Sequence, residues 1–256
     1  MDLQGKVAVI TGGASGLGRA TAEMVIKNGG KVAILDLNEE LAQQTAKELG
    51  PSAAPFIANV TDGESVTSAV EKIVAHFGAI HINVNCAGVG TPGRTIGKDG
   101  PLPLKYFNLV IQVNLVGTFN TLRVCANEMQ GNEALNADGE KGVVINTASV
   151  AAFDGQIGQA AYSASKAGVT GMTLPIARDL SRAGIRLCTI APGIFETPMM
   201  AGAPDRVRDP LVEMVQFPKR LGDASEYANL ARQIIENPYL NGETIRLDGG
   251  IRMSAK

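Results

Sequence analysis

The chain has 256 residues, 45% of them hydrophobic and 19% charged, and its 23 Lys and Arg against 25 Asp and Glu leave a formal charge of −2. That composition excludes a disordered chain and a nucleic-acid footprint spread over the whole molecule; only a local basic patch stays open. At roughly 150 residues per domain the length allows one or two domains. No linker-like stretch divides it, so one domain over 1–256 is expected, with room for a substantial core.

The start, Met1–Lys6, lacks the charged, apolar and small-residue pattern of a signal peptide and enters a strand-like run at once. No unbroken apolar run approaches the ~18 residues that span a bilayer, so no membrane partner is expected. The three cysteines, Cys86, Cys125 and Cys188, are far apart and in no ligand spacing. They read as small buried hydrophobes of a reducing compartment, which makes the expected location cytoplasmic. With only His76 and His81 besides, no metal site is expected.

Lys6–Thr11 is the first of seven short apolar runs that read as buried strands. A glycine-rich turn follows, then an apolar stripe at helical spacing, Leu17, Ala20, Met24 and Val25. Lys31–Asp36 is the second run, followed by Leu41, Thr45 and Leu49. Pro55–Val60 is the third, followed by Val66, Val70, Ile73, Val74 and Phe77. Ile80–Asn85 is the fourth. Residues 103–130 have room for a long helix before Val143–Ala148, and 160–183 for another before Ile185–Ala191. Glu243–Leu247 is the last run. Alternating strand and helix predicts an α/β Rossmann fold: one seven-stranded parallel sheet, helices on both faces, right-handed crossovers. Two irregular segments remain. Residues 89–106 are rich in Gly and Pro, and 197–220, opening with a Met199-Met200 pair, read as a mobile substrate lid. The Met pair itself reads as pocket wall or packing.

Unusual residues cluster where strands end: Gly12 to Gly18, Asp36, Asn59-Val60, Asn85 to Gly88, Ser149 and Pro192-Gly193. In open parallel sheets ligands bind at that edge. Thr11-Gly12-Gly13-Ala14-Ser15-Gly16-Leu17-Gly18 joins a strand to a helix whose N-terminus offers free N–H groups to a phosphate. Its spacing is G-x-x-x-G-x-G, and alone it reads equally as an ordinary turn. Asp36 adds the discriminating feature. A carboxylate closing the second strand accepts from both adenosine ribose hydroxyls and repels a 2′-phosphate, so NAD is the expected cofactor.

Tyr162 and Lys166 stand at i and i+4 and share a helix face. A neighbouring ammonium is expected to lower the phenol's pKa and so equip it for acid/base work at a carbonyl. Ser149, 13 residues earlier, is placed to hold the reacting oxygen. Singly, these are an ordinary surface pair and an ordinary turn serine; their conjunction on the glycine-loop edge is what points to catalysis.

Thr11–Gly18, Asp36, Asn85–Gly88, Asn114, Ser149, Tyr162/Lys166, Pro192-Gly193 and Asp248-Gly249-Gly250 together resemble the short-chain dehydrogenase/reductase family over essentially the whole chain. The resemblance implies Tyr162 as acid/base, Ser149 and Gln156 with Tyr162 on the substrate, and Lys166 on the nicotinamide ribose. It implies a water held by Asn114 that continues a proton relay. The cofactor would meet Gly12, Ser15, Gly16, Leu17, Gly18, Asp36, Leu37, Asn59, Val60, Cys86, Ala87, Gly88, Tyr162, Lys166, Pro192, Gly193, Phe195 and Thr197. Two positions depart from the pattern. Asn59 stands where Asp is usual and is expected to accept from adenine through its amide oxygen. Cys86 stands where Asn is usual and is expected to be tolerated rather than reactive.

Longer stretches, among them Gly142–Phe153, Gly155–Tyr162, Met172–Leu180, Phe217–Gly222 and Asn241–Asp248, resemble the family's 3-hydroxyacyl-CoA dehydrogenase branch. That implies oxidation of an (S)-3-hydroxyacyl-CoA, an acyl-CoA partner and a homotetramer with the two long helices in one interface. Arg206, Arg208, Lys219 and Arg220 are candidates for the CoA phosphates. Rivals are a hydroxysteroid or polyol dehydrogenase, a 3-oxoacyl-carrier-protein reductase, which Asp36 disfavours, and a non-catalytic NAD-binding scaffold, which the intact Asn114, Ser149, Tyr162 and Lys166 disfavour.

Overall fold

Strand and helix alternate from the start in a computed structural model that describes residues 1–201 and 205–255, the side chains at 199, 201 and 205–207 apart. The first half runs β1 (Val7–Thr11), α1 (Gly16–Lys27), β2 (Lys31–Asp36), α2 (Glu39–Leu49), β3 (Ala53–Ile57), α3 (Gly63–Phe77) and β4 (Ile82–Asn85). A small hairpin follows, β5 (Ile96–Gly97) and β6 (Gly100–Pro101), then α4 (Leu104–Ile111), a π-helical turn (Gln112–Val116) and α5 (Gly117–Met129). The rest is β7 (Gly142–Thr147), a 3-10 turn (Val150–Ala152), α6 (Ala160–Leu180), β8 (Ile185–Pro192), α7 (Pro198–Ala201), α8 (Asp205–Met214), α9 (Ala224–Glu236) and β9 (Thr244–Leu247).

Seven strands make one parallel sheet in the order β3-β2-β1-β4-β7-β8-β9. The order reverses between β1 and β4, which opens a crevice beyond their carboxyl ends. β1, β4, β7 and β8 are buried at every position, because helices cover both faces. Ile10, Ile34, Ile82, Ile145 and Ile190 pack on Val25 of α1 and Tyr227 and Ala231 of α9. The alternate residues Val9, Leu35, Val144 and Leu187 pack on Val66 and Ile73 of α3, Leu122 of α5 and Ile176 of α6. Each such buried aliphatic contributes about 1.5–3 kcal/mol. Burial on both faces is why these strands read as apolar runs without alternation.

Three features differ from expectation. β3 stops at Ile57 because the next residues serve a turn: Asp62 caps α3 by accepting from Glu64 and Ser65 N–H at 2.9 and 3.1 Å. α9 was not foreseen, although Asp223 and Glu226 form a capping box that marks its start. The helical run Leu104–Met129 is 26 residues long and, by length and composition, apolar enough to cross a membrane, with half of its most apolar window buried in the fold. Polar residues interrupt it in sequence, so counting unbroken apolar runs overlooks it.

Candidate active site

The turn after β1 is built by close backbone approach. Gly12 and Gly16 have φ of +62° and +52°, where a side chain is strained. A Cβ on Gly12 would stand 3.0 Å from the Ala87 nitrogen, and one on Gly18 would overlap the Gly12 carbonyl oxygen. Thr11 Oγ1 accepts from Ala87 N–H at 3.1 Å, joining this turn to the β4 end. Ser15 makes no side-chain cap and the first turn of α1, with Leu17, holds no acidic residue. Its N–H groups, which lack helical acceptors, are left for an anion. Thr197 and Pro198 stand over Gly16, 3.6 and 3.5 Å from where its Cβ would be.

Asp36 closes β2 beside this cradle. Its Oδ2 accepts from Ala14 N–H at 3.2 Å and its Oδ1 from Asn38 N–H at 3.1 Å. Both oxygens keep acceptor capacity, and no Lys or Arg occupies 14, 37 or 38. Leu37 lies open beside it. Gly88 leaves room at the crevice floor: a Cβ there would come within 3.2 Å of Asn114 Oδ1 and 3.6 Å of Lys166 Nζ. A dinucleotide fits this donor set: N–H groups at a helix N-terminus for the diphosphate, a carboxylate for the ribose.

Other expected cofactor residues contribute less than their position implies. Asn59 Oδ1 accepts from Thr61 N–H at 3.1 Å and Thr61 Oγ1 at 2.8 Å. Because the Thr61 N–H can only donate, the facing atom is the amide oxygen, and both its lone pairs are used. The oxygen expected to accept from adenine is thus already engaged by Thr61. Val60 is packed against Gly117, and its carbonyl accepts from Asn120 Nδ2 at 2.9 Å. Phe195 is buried, its ring filling the space beside Gly222, so only its backbone can line the crevice. Pro192 ends β8, and Gly193 lies against Asp248, whose Cα would be 2.8 Å from an added Cβ.

The catalytic set converges. Ser149 Oγ accepts from Ala151 N–H at 3.1 Å and meets the Tyr162 phenol. Lys166 is buried, donates to the Thr147 carbonyl at 2.7 Å and stands 5.8 Å from the Tyr162 ring centroid. Asn114, inside the π-helical turn, accepts from Val89 N–H at 2.8 Å and donates to Val89 O at 3.0 Å and Ser165 Oγ at 3.1 Å. Ser165 in turn donates to the Tyr162 carbonyl at 2.7 Å. The Asn114 side chain thus clamps the β4 exit to the Tyr162 helix, and the residue sequence alone carries no signal for the π turn that aims it.

Burial dominates the electrostatics of the pair. Burial holds the Tyr162 phenol above its ordinary value, against the smaller effect of its Ser149 hydrogen bond. Burial also brings the Lys166 ammonium down to about 8. Burial is the dominant effect on Tyr162, and the hydrogen bond of Lys166 goes to the Thr147 carbonyl. Cys86 fits its expected inertness. Burial raises its thiol, which sits 3.7 Å from Tyr227 Oη and 3.6 Å from Thr147 Oγ1. Cys125 and Cys188 are buried and free, as read.

The substrate side differs more. The Gln156 amide donates to the Ser254 carbonyl at 3.2 Å, so it is tied to the C-terminal tail rather than to Ser149 or Tyr162. Arg208 pairs with Glu196 at 2.6 Å, Arg220 with Glu226 at 2.8 Å, and Lys219 donates to Glu213 O at 2.8 Å. Arg208 and Arg220, beside a cleft of about 480 Å³, thus stand in exposed ion pairs within the chain and Lys219 on a backbone carbonyl; the Arg206 side chain lies outside the described residues. The lid position is occupied by α7 and α8, within which Met199 lies outside the described side chains. On the other side, Thr91, Pro92, Gly93, Leu102, Tyr106, Gly158 and Ala161, the residue before Tyr162, enclose a slot of about 200 Å³.

A family model described as short chain dehydrogenase matches residues 6–207. The chain belongs to that family. As a short chain dehydrogenase it is an oxidoreductase of small molecules. It is 53% identical over 253 residues to the 3-hydroxyacyl-CoA dehydrogenase type-2 of Drosophila melanogaster, covering 98% of this chain and 99% of that one. The crystal structure of 3-hydroxyacyl-CoA dehydrogenase type-2 from Mycobacterium avium superposes with a TM-score of 0.94 at 40% identity, covering 98% of each chain. A 3-ketoacyl-(acyl-carrier-protein) reductase from Brucella melitensis complexed with NADH superposes at 0.87 and 29% identity, covering 98% of this chain and all of that one.

Proposed function

We propose that this chain is an NAD-dependent dehydrogenase that interconverts (S)-3-hydroxyacyl-CoA and 3-ketoacyl-CoA. When bound in the cradle, the nicotinamide supplies the hydride acceptor or donor. In the oxidative direction the Tyr162 phenolate takes the proton of the substrate hydroxyl and becomes the phenol; in reduction the phenol gives its proton to the carbonyl oxygen and becomes the phenolate. Ser149 holds the same oxygen by hydrogen bonding. Lys166, with donors to spare beyond the Thr147 carbonyl, holds the ribose edge of the cofactor. Asp36 selects NAD over its 2′-phosphorylated form.

The acyl-CoA part rests chiefly on one arrangement. The apolar slot that reaches α6 at Ala161 leads to the β5–β6 hairpin, where Arg94, Lys98 and Lys105 are exposed. Among the described residues none of the three has an ion-pair partner, and Lys105 has only the Tyr106 ring, 5.2 Å from its Nζ. An apolar slot ending in free cations fits an acyl chain followed by a phosphate-bearing carrier. This set replaces Arg208, Lys219 and Arg220.

A second copy of the chain fits the exposed apolar residues Leu104, Leu109, Val116 and Phe119 along α4–α5 and Leu174 on α6, which supports a homotetramer with these helices in one interface. The three free thiols fit a reducing compartment such as the cytoplasm.

The test is NADH consumption with acetoacetyl-CoA. Turnover is expected, with KM raised at least about tenfold when Arg94, Lys98 and Lys105 are all neutralised and unchanged for a short thioester lacking the nucleotide. Activity on free ketones but not on CoA esters would replace the proposal with the hydroxysteroid or polyol reading. NADH binding without any turnover would replace it with the scaffold.

A further inference from the structure

Three segments meet beside Val150, the residue after Ser149; one guanidinium bonds two of them directly and reaches the third through the Asp248 turn. The first is Phe153–Gln156, which follows Ser149. The second is the base of α8, residues 214–217. The third is the C-terminal tail, 251–255. Arg246, near the end of β9, sits where they meet.

Arg246 Nη2 donates to Asp154 Oδ2 at 2.8 Å and to the Ile251 carbonyl at 3.1 Å, and Nε donates to Asp248 Oδ2 at 2.7 Å. Its guanidinium carbon lies 5.0 Å from the Phe153 ring centroid. The side chain is only 23% exposed and Asp248 only 9%, so these charge-assisted bonds are sheltered and geometrically fixed. Asp248 Oδ1 accepts from Gly250 N–H at 3.0 Å, setting the turn in which the Gly249 carbonyl accepts from Gln216 and Phe217 N–H at 3.0 and 3.1 Å. The α8 base is thereby hung on the same turn. Apolar packing repeats the connection: Val150, next to Ser149, forms one buried cluster with Val215 and Ile251. The tail closes the ring, Ile157 N–H donating to the Ala255 carbonyl at 3.0 Å.

We propose that Arg246 is a positioning residue for the substrate pocket, fixing the Ser149 loop, the α8 base and the tail in one register without touching the reacting atoms. Asp154 is its partner on the Ser149 loop. An arginine suits this place because its planar fork meets a carboxylate, a carbonyl and a second carboxylate at once; a lysine ammonium is a point charge. The glycine turn and Asp36 lie on β1 and β2, away from these contacts, and the cofactor edge adjoins them only where Gly193 packs on Asp248, so most of the cofactor's binding is separable from pocket geometry. The inference rests on the reading of Ser149 and Tyr162 as the reacting centre.

The test combines kinetics with hydrogen exchange on Arg246→Ala, Arg246→Lys and the milder Asp154→Asn. Arg246→Ala is expected to raise KM for acetoacetyl-CoA at least about tenfold while the NADH Kd stays within about twofold. It is also expected to speed amide exchange in 150–157 and 214–217 without change in β1 or α1. Asp154→Asn is expected to loosen 150–157 alone, and Arg246→Lys to restore part of both effects. Unchanged exchange in both segments would overturn the proposal. So would loosening spread evenly over the chain with NADH binding lost in step. If the parent protein does not turn over acetoacetyl-CoA, the functional reading fails while the exchange arm still decides this one.

Discussion

Replacing Asp36 with Ala tests cofactor selection at a single carboxylate. Its two oxygens already accept from the Ala14 and Asn38 N–H groups at 3.2 and 3.1 Å, and each has room for one ribose hydroxyl. Hydrogen bonds to a charged group are worth about 1.5–3 kcal/mol apiece. At this half-buried site the pair is worth about 2–4 kcal/mol, which is a rise in NADH Kd of roughly 30- to 1,000-fold. NADPH should behave differently. Loss of the carboxylate removes a repulsion, but no Lys or Arg stands at 14, 37 or 38 to replace it with attraction. NADPH affinity should therefore improve by less than about tenfold. Titration of NADH and NADPH fluorescence on the parent and the variant measures both changes, with a thermal melt to show that the variant is folded. A folded variant that binds NADH within about twofold of the parent would refute the assignment of Asp36 to the ribose.

His81 should make stability fall in mild acid. It accepts from Val7 N–H at 3.1 Å through Nδ1, which requires that nitrogen unprotonated, and burial holds its pKa at about 4. The unfolded chain binds the proton near pH 6.5 and the native one only near 4, so the contribution is complete above 6.5 and is lost as pH falls towards 4. Discounted for the partly exposed ring, about 1–2 kcal/mol should disappear; urea unfolding of the parent and His81→Gln should show different pH slopes, and equal slopes would count against this. Glu140→Ala should cost about 3–5 kcal/mol, because it strips the carboxylate from buried Arg186, now bonded at 2.9 and 2.7 Å. Urea unfolding measures that loss, and Arg186→Met in the same background should recover part of it. Since burial holds the Tyr162 phenol above its ordinary value, initial rates of oxidation should rise with pH through the neutral range. Reduction, which needs the proton on Tyr162, should stay level there and fall only in alkali.

Most of the sheet and the reacting centre were readable because each depends on local chemistry. Strands buried on both faces must be apolar throughout, so the runs ending at Thr11, Asp36, Asn85 and near Thr147 declared themselves. Ser149, Tyr162 and Lys166 lie close along the chain and on one sheet edge, so spacing alone nearly assembles them. What stayed hidden depends on which lone pair or charge is already taken. Asn59 looks like an available acceptor until Thr61 is found on both its lone pairs. Arg208, Lys219 and Arg220 look like an anion site until Glu196, the Glu213 carbonyl and Glu226 are found beside them. The Tyr162–Lys166 spacing says that the two share a face, not that the Thr147 carbonyl takes the ammonium or that burial outweighs it. Arg246 is 92 residues from Asp154, and no local pattern links them.

The central claim, that Tyr162 moves the proton while the cradle independently holds the cofactor, is met most directly by single-turnover hydride transfer in Tyr162→Phe. With NADH and acetoacetyl-CoA the rate should fall by about 10²- to 10⁴-fold, while the NADH Kd is unchanged because only one hydroxyl facing Ser149 has been removed. A rate within about tenfold of the parent, or NADH binding lost in parallel with the rate, would contradict it.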